Sequence, residues 1–419
     1  MQVYREALVN DMQYAAARAT VEAGREKLPQ GLAGLLPVLG ATAGTVWNEN
    51  RYHNDSQPSW RNDYNTHAYN ISLTQPLFRW QNIVQYGQSR WQVVQAEAVF
   101  AQEAQDLILR VAQAYFDVLY AQENLSAVRS NKEAIALQLA QARKNFEVGT
   151  TTITDTHEAQ SRFDLASAQE LAGENELEVK RYALRVIVGK EIGELARLRA
   201  DAKLLPPQPA SMEQWVAAAE NDNYLVLARQ AALEVAQREV ERARGGHYPT
   251  LDVVANYGRN STASSSPNSS LETDVRNIGL QLSIPIYEGG LVGSRTREAI
   301  ANRSAAQSTL ENARRAARLD AQQSFLGVVN GLAQVQALRA ALVSSISALE
   351  SNKLGYDVGV RINIDVLNAE QQVYLTRRDL AKARFDTLLA QLDLKAAIGT
   401  LSEDDLEQIN PLFEGGEGD

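Results

Sequence analysis

The side chains in this 419-residue chain best suited to chemistry are four histidines, a few paired carboxylates and two glycine-rich stretches. A histidine that acts as a base or holds a metal needs partners at fixed spacing. His53, His67, His157 and His247 are scattered, with no H-E-x-x-H pattern. "VGKEIG" at 188–193 lacks the spacing of a phosphate loop. "YEGGLVGS" at 287–294 follows a strand-like segment and opens a helix, but it lacks G-x-G-x-x-G and reads as a flexible turn. Asp404 and Asp405 read as solvated carboxylates. The absence of cysteine excludes disulfides, thiolate catalysis, Cys-bearing metal sites and an N-terminal lipid anchor on cysteine. No catalysis and no cofactor are expected. A formal net charge of −10 argues against a nucleic-acid partner, whose phosphates call for clustered Lys and Arg.

The elements that would position any site come from a duplication. "NFEVGTTTITDTHEAQ" from Asn145 and "GYDVGVRINIDVLNAE" from Gly355 align Phe146 with Tyr356, Val148 with Val358, Gly149 with Gly359 and Asp155 with Asp365, each 210 residues apart. Asn10-Asp11 recurs as Asn221-Asp222, Pro37 as Pro249, Pro76 as Pro285 and Gly189 as Gly399, at offsets of 209 to 212. A near-constant offset means two structural repeats, 1–210 and 211–410, with a flexible tail at 411–419.

Each repeat opens with a helix, about Gln2–Lys27 and Ser211–Arg244, the second with a capping box Ser211-x-x-Gln214. Two strand-like segments around a polar loop follow: 35–47 and 68–77 in the first repeat, 248–260 and 277–287 in the second. Ile278, Leu280, Leu282, Ile284 and Ile286 alternate with Gly279, Gln281, Ser283 and Pro285, which is the period of a strand. The polar loops span 49–66 and 261–274.

Then come long helices, 88–148 and 294–354. The first spans 61 residues without Gly or Pro, about 90 Å at the rise of an α-helix. Its apolar positions step 4,3,4,3 through Leu107, Val111, Ala114, Val118, Ala121, Leu125, Val128, Ile135, Leu139, Ala142 and Phe146, broken only by Lys132. That is a heptad seam. Val-Gly at 148–149 and 358–359 closes each hairpin, with Gly supplying a left-handed residue. Returning helices follow at 155–188 and 365–398, with Asp155 and Asp365 near their N-termini, where a carboxylate complements free N–H groups.

No transmembrane helix is expected: the best uncharged run, Gly31–Trp47, is short and holds Pro37. The first 25 residues, rich in Glu, Arg and Gln, are no signal peptide, so the chain is read as cytosolic or as a processed form. Four strands, apolar on one face, fit either a small sheet on a soluble coiled-coil scaffold or a fraction of a lipid-facing barrel. Barrels need at least about eight strands, so the second reading forces an oligomer. The residues alone leave both open.

The stretches "MQVYREA", "HYPTLDV", "IPIYEGGLVGS", "GYDVGVRINIDVLNAE" and "AIGTLSEDDLEQIN", in this order on a duplicated chain, resemble the TolC family of outer-membrane efflux and secretion ducts. The resemblance implies a homotrimer. Its twelve-stranded barrel would cross the outer-membrane lipid and continue as an α-helical tunnel into the periplasm. A periplasmic adaptor and an inner-membrane pump of the RND, ABC or MFS kind would dock on it. Family members begin with a signal peptide, which would put Met1 near the mature start. The resemblance matches Thr154, Asp155, Tyr356 and Arg361 to the network that closes the periplasmic end, through an Arg–carboxylate bond and a Tyr hydroxyl donating to Asp155. Gln138 matches a further latch position whose usual acidic partner is Lys353 here. Asp365 matches a ring of carboxylates at the narrowest point, and Asn368 stands where relatives carry a second acid. Gly149 and Gly359 mark the tips where the adaptor would dock.

Overall fold

The computed structural model describes residues 1–263 and 271–414. Its elements run α1 (Gln2–Asn10), α2 (Met12–Arg25), α3 (Lys27–Ala33), β1 (Val38–Asn54), β2 (Gln57–Phe78), α4 (Trp80–Glu147), α5 (Ile153–Val188), β3 (Arg197–Leu198), α6 (Met212–Asp222), α7 (Tyr224–Arg244), β4 (Thr250–Ala263), β5 (Leu271–Ser283), α8 (Leu291–Asp357), α9 (Asn363–Ala397), α10 (Glu403–Ile409) and β6 (Phe413–Glu414). They divide into two compact units: Met1–Thr20, Ala98–Leu227 and Glu311–Asp419 in one, Val21–Glu97 and Ala228–Leu310 in the other. Each unit draws on both sequence repeats.

The first unit is helical, and its core follows the heptad seam. Leu107, Val111, Val118, Ala121, Leu125, Val128, Ile135, Leu139 and Ala142 of α4 are all buried. Ile135, Leu139 and Ala142 pack on Ala159 and Ala166 of α5 and on Leu367 of α9. Burying each large aliphatic side chain contributes about 1.5–3 kcal/mol. Lys132, the one break in the seam, reaches Glu170 at 2.7 Å and lies over the Phe163 ring. Hydrogen bonds from Lys132 and then Arg129 hold the Glu170 carboxyl below its ordinary range. Phe146 is exposed, so the seam ends one heptad step before the turn.

The opening helices are each broken where one was expected. Asp11 is extended, and its carboxylate accepts from the Tyr14 N–H at 2.6 Å and from Arg110 at 3.1 Å. In the second repeat the Asn223 side chain likewise accepts from the N–H groups of Leu225 and Val226. Short polar side chains that satisfy free N–H groups start a new helix at each site. The capping box expected at Ser211 does not form: its hydroxyl donates to Glu213 at 2.6 Å. Of the tail expected at 411–419, Phe413 pairs with Leu198 and stacks on Phe116, while 415–419 lie outside the described residues.

The second unit carries one antiparallel sheet in the order β1-β2-β4-β5. β2 pairs with β4, so the two hairpins, far apart in sequence, form a single surface. The register sorts residues by face. Leu39, Leu73, Ala255 and Ile278 form one row across all four strands, and Gly40, Ser72, Asn256 and Asn277 form the next. Successive rows point to opposite faces. At these rows one face is apolar and the other small or polar, with Leu39 and Ile278 71% and 78% exposed, while farther along the first face also carries Arg276, Arg259 and Asp274. Among the described residues β1 and β5 each keep an unpaired edge.

The strands are longer than their alternation suggested. The segment 49–66 was expected as a polar loop, but β1–β2 pairing continues to Tyr52 and Trp60, whose rings stack at 5.0 Å. Arg61 bridges Glu49 at 3.1 Å across the same extension. β5 begins earlier than expected, at Leu271, and ends at Ser283. Pro285 has no N–H to continue a ladder, so Ile284 and Ile286 lie outside the strand and Ile286 is 94% exposed. Residues 264–270 of the second polar loop lie outside the described residues.

One expectation about membranes needs correction. α8 contains an 18-residue window of mean hydropathy 1.3, enough by length and composition alone to cross a membrane, and 11% of it is buried. Residues 321–338 of α8 carry no Asp, Glu, Lys or Arg, an uncharged run as long as the window itself.

Candidate functional site at the tips of the helical hairpins

The hairpin turns are built alike in both repeats. Gly149 has φ +79° and Gly359 φ +78°, values that a side chain disfavours. In the first turn the Gly149 N–H donates to the Phe146 carbonyl and the Thr150 N–H to that of Asn145. In the second, Gly359 donates to Tyr356 and Val360 to Gly355. Both are Schellman turns, which satisfy the last carbonyls of a helix. No other atom lies within 4 Å of where a Cβ would stand on either glycine, so both tips present bare backbone.

The residues around the turns do not all meet their expected partners. Asp155 closes a capping box with Thr152, accepting from its N–H and its hydroxyl, each at 3.2 Å. It therefore serves its own helix and bonds neither Tyr356 nor Arg361 within the chain. Thr154 stands exposed in the first turn of α5. The Tyr356 hydroxyl accepts instead from Asn145 Nδ2 at 3.2 Å, joining the end of α8 to the end of α4. Arg361, in the turn before α9, lies 3.6 Å from Asp365 in the first turn of that helix. Asn368 accepts from Arg162 Nη2 at 3.0 Å, a second link between α9 and α5.

The further latch position resolves differently from a Gln–Lys pair. Lys353 binds Glu370 at 2.6 Å, and the Glu370 side chain is 10% exposed. Gln138 is left with a buried Oε1 that has no partner. Asn131 and Asn363 are buried with both amide atoms unpartnered. These residues share a spacing. Asn124, Asn131, Gln138 and Asn145 fall seven apart on α4, and Asn363 and Glu370 seven apart on α9. A polar stripe thus runs beside the apolar seam. Four amides at one heptad position are its signature in the sequence.

Buried amides without partners cost stability in a dry interior, about 1–3 kcal/mol per group. The tips therefore combine a polar stripe, short links between hairpins and two exposed glycine turns. Among the described residues no group of three or more His, Asp or Glu is placed to hold a metal.

A family of known proteins shares this architecture. Residues 3–190 and 215–400 each match the family of outer membrane efflux proteins. The chain belongs to that family, whose members are ducts, and its place is the outer membrane. It is 36% identical over 411 residues to outer membrane protein TolC of Vibrio cholerae, covering 98% of this chain and 92% of that protein. It is 31% identical to the proteases secretion protein PrtF of Dickeya chrysanthemi, covering 97% of this chain and 89% of that one. Among solved structures, the Campylobacter jejuni CmeC outer membrane channel superposes with a TM-score of 0.84 at 18% identity, covering 98% of this chain and 88% of that one. The competing expectation of a soluble coiled-coil scaffold falls with the family match.

Proposed function

We propose that three copies of this chain form an exit duct through the outer membrane, closed at its hairpin tips and opened when a periplasmic adaptor and an inner-membrane pump dock there. The observation that carries the reading is the sheet. Four strands with an unpaired edge on each side cannot close, and a sheet apolar on one face and polar on the other suits lipid outside and water inside. Three copies supply twelve strands and leave no edge. The open apolar residues of α8, Leu319, Leu326, Val329 and Val343, supply the matching surface between neighbouring helical parts.

At the tips, Asn145–Tyr356 and Arg162–Asn368 tie each hairpin to its neighbour within the protomer. Thr154, Asp155 and Arg361 then serve the boundary between protomers, and the polar stripe through Gln138 hydrates as the tips part. Asp365 forms a single carboxylate ring, tempered by Arg361 beside it, and Asn368 adds no charge. The relatives include a TolC and a protein named for secretion of proteases, so both efflux and type I secretion pumps of the RND, ABC or MFS kind are candidate partners.

Mass measurement of the purified full chain in detergent tests the assembly. The expected result is a homotrimer that needs detergent to stay dispersed. A monodisperse monomer or dimer in plain buffer overturns the reading.

A further inference from the structure

Within the helical unit a cleft of about 1060 Å³ opens among the middle of α4, the end of α5, the segment before β3, α8 and α9. Its walls are rich in arginine. Arg129 is engaged by Glu170 and Glu174, Arg181 by Glu178, and Arg378 by Asp379. Arg197, Arg377 and Arg384 also line the cleft, and among the described residues none of them makes an ion pair. Arg384 is 9% exposed. Its Nη2 donates to the Arg199 carbonyl, and its Nε is buried without any acceptor.

A buried guanidinium with an unmet donor is costly unless an acceptor is supplied. Nothing in the duct's gating uses this residue. We propose that the cleft binds a compact oxyanion, a phosphate or sulfate group, held by Arg384, Arg377 and Arg197. The chemistry fits: a guanidinium fork matches two oxygens of such a group at once, and Arg377, an exposed residue of the lining, attracts the anion from solvent. Glu123 lines the same wall and acts against the anion. Burial pushes its carboxyl up, and Arg384 and then Arg197 pull it back down, without a hydrogen bond from either. Burial pushes the Arg384 guanidinium below its ordinary value, Glu123 opposes that, and Arg339 adds to it. An anion in the cleft beside Arg384 would offset the cost of its burial. The inference stands apart from the duct reading, since it asks nothing of pore or pump.

The phosphate group has two sources, a free ion or the headgroup of a lipid, and the test separates them. The detergent-purified full chain is titrated calorimetrically with sodium sulfate against sodium chloride of equal ionic strength, then with short-chain phosphatidic acid. Saturable sulfate binding at one site per chain is expected, weakened at least tenfold in Arg377→Gln, which changes an exposed residue. Glu123→Gln is expected to bind sulfate several-fold more tightly, a gain that a misfolded variant does not produce. Phosphatidic acid binding more tightly than sulfate assigns the site to a headgroup; equal or weaker binding assigns it to a free anion. Sulfate heats no different from chloride, or variants that bind as the parent does, overturn the proposal.

Discussion

Removing the two links between hairpins, with Tyr356→Phe and Arg162→Ala together, should open the closed end. The Tyr356 ring packs on Leu349 and Val366, so Phe keeps the packing and loses only the hydroxyl that accepts from Asn145. That bond is partly buried and contributes about 1 kcal/mol. The Arg162–Asn368 bond is exposed and contributes about 0.5 kcal/mol after solvent screening. Together they favour the closed form by roughly 1.5 kcal/mol per protomer, which is about a tenfold shift in the open-to-closed ratio. If three protomers open as one, the terms add to about 4.5 kcal/mol and the shift is on the order of a thousandfold. Single-channel recording in planar bilayers reads the difference directly. A tenfold rise in open probability indicates independent hairpins, and a rise near a thousandfold indicates concerted opening. Thermal stability should fall by no more than about 1.5 kcal/mol per protomer, since the apolar seam from Leu107 to Ala142 is untouched. An open probability and conductance equal to the parent's would refute the assignment of these bonds to the gate.

Other expected outcomes follow from single contacts. Lys353→Met leaves the nearly buried Glu370 carboxylate unpaired and should lower stability by about 1–2 kcal/mol, the half-exposed lysine limiting the effect; adding Glu370→Leu should recover most of it in a melting comparison. Gly149→Leu or Gly359→Leu forces a side chain into φ near +79°, costing about 1–2 kcal/mol locally; export in cells should fail while trimer mass in detergent is kept, and normal export in both would remove the tips as the docking surface. Burial pushes the Asp393 carboxyl up from its ordinary 3.8, so the folded form holds its proton more tightly. The stability that this gives is present below pH 3.8 and is lost as pH rises through the folded value. Asp393→Asn should therefore melt higher than the parent at pH 7, with the gap closing below pH 3.8; a constant gap across pH would show the shift is not the cause. Asp365→Asn should leave conductance unchanged and lower cation selectivity in the same bilayers, the single carboxylate ring being its basis.

What the sequence made legible were features fixed by period or by backbone sign. The seam from Leu107 to Ala142 was readable because helix packing rewards a strict 4,3 spacing. The turns at Gly149 and Gly359 were readable because a positive φ nearly demands glycine, and the repeat wrote it twice. Strand ends were less legible. Beyond Trp47 both faces of β1 turn polar, alternation vanishes, and pairing to Tyr52 leaves no trace in hydropathy. Side-chain partners were the least legible. Asp155 suits an arginine across an interface and a capping box equally well, and only placement shows that Thr152 holds it here. Glu370, Asn145 and Arg162 went unnoticed because a charged or amide residue on a long helix is usually solvated. The seven-residue spacing of Asn124, Asn131, Gln138 and Asn145 was the available signal.

The unpaired edges of β1 and β5 have a genetic consequence in the trimer proposed above. Each edge can be satisfied only by the opposite edge of another copy, head to tail, so a lesion in one β5 is felt by a neighbour whose own sequence is intact. Ring closure then makes the assembly as good as its worst member. In a cell that expresses normal and edge-damaged alleles equally, random mixing leaves about one eighth of the rings wholly normal. A proline placed in β5, where it interrupts the ladder, should therefore behave as dominant, whereas loss of the whole chain should be recessive.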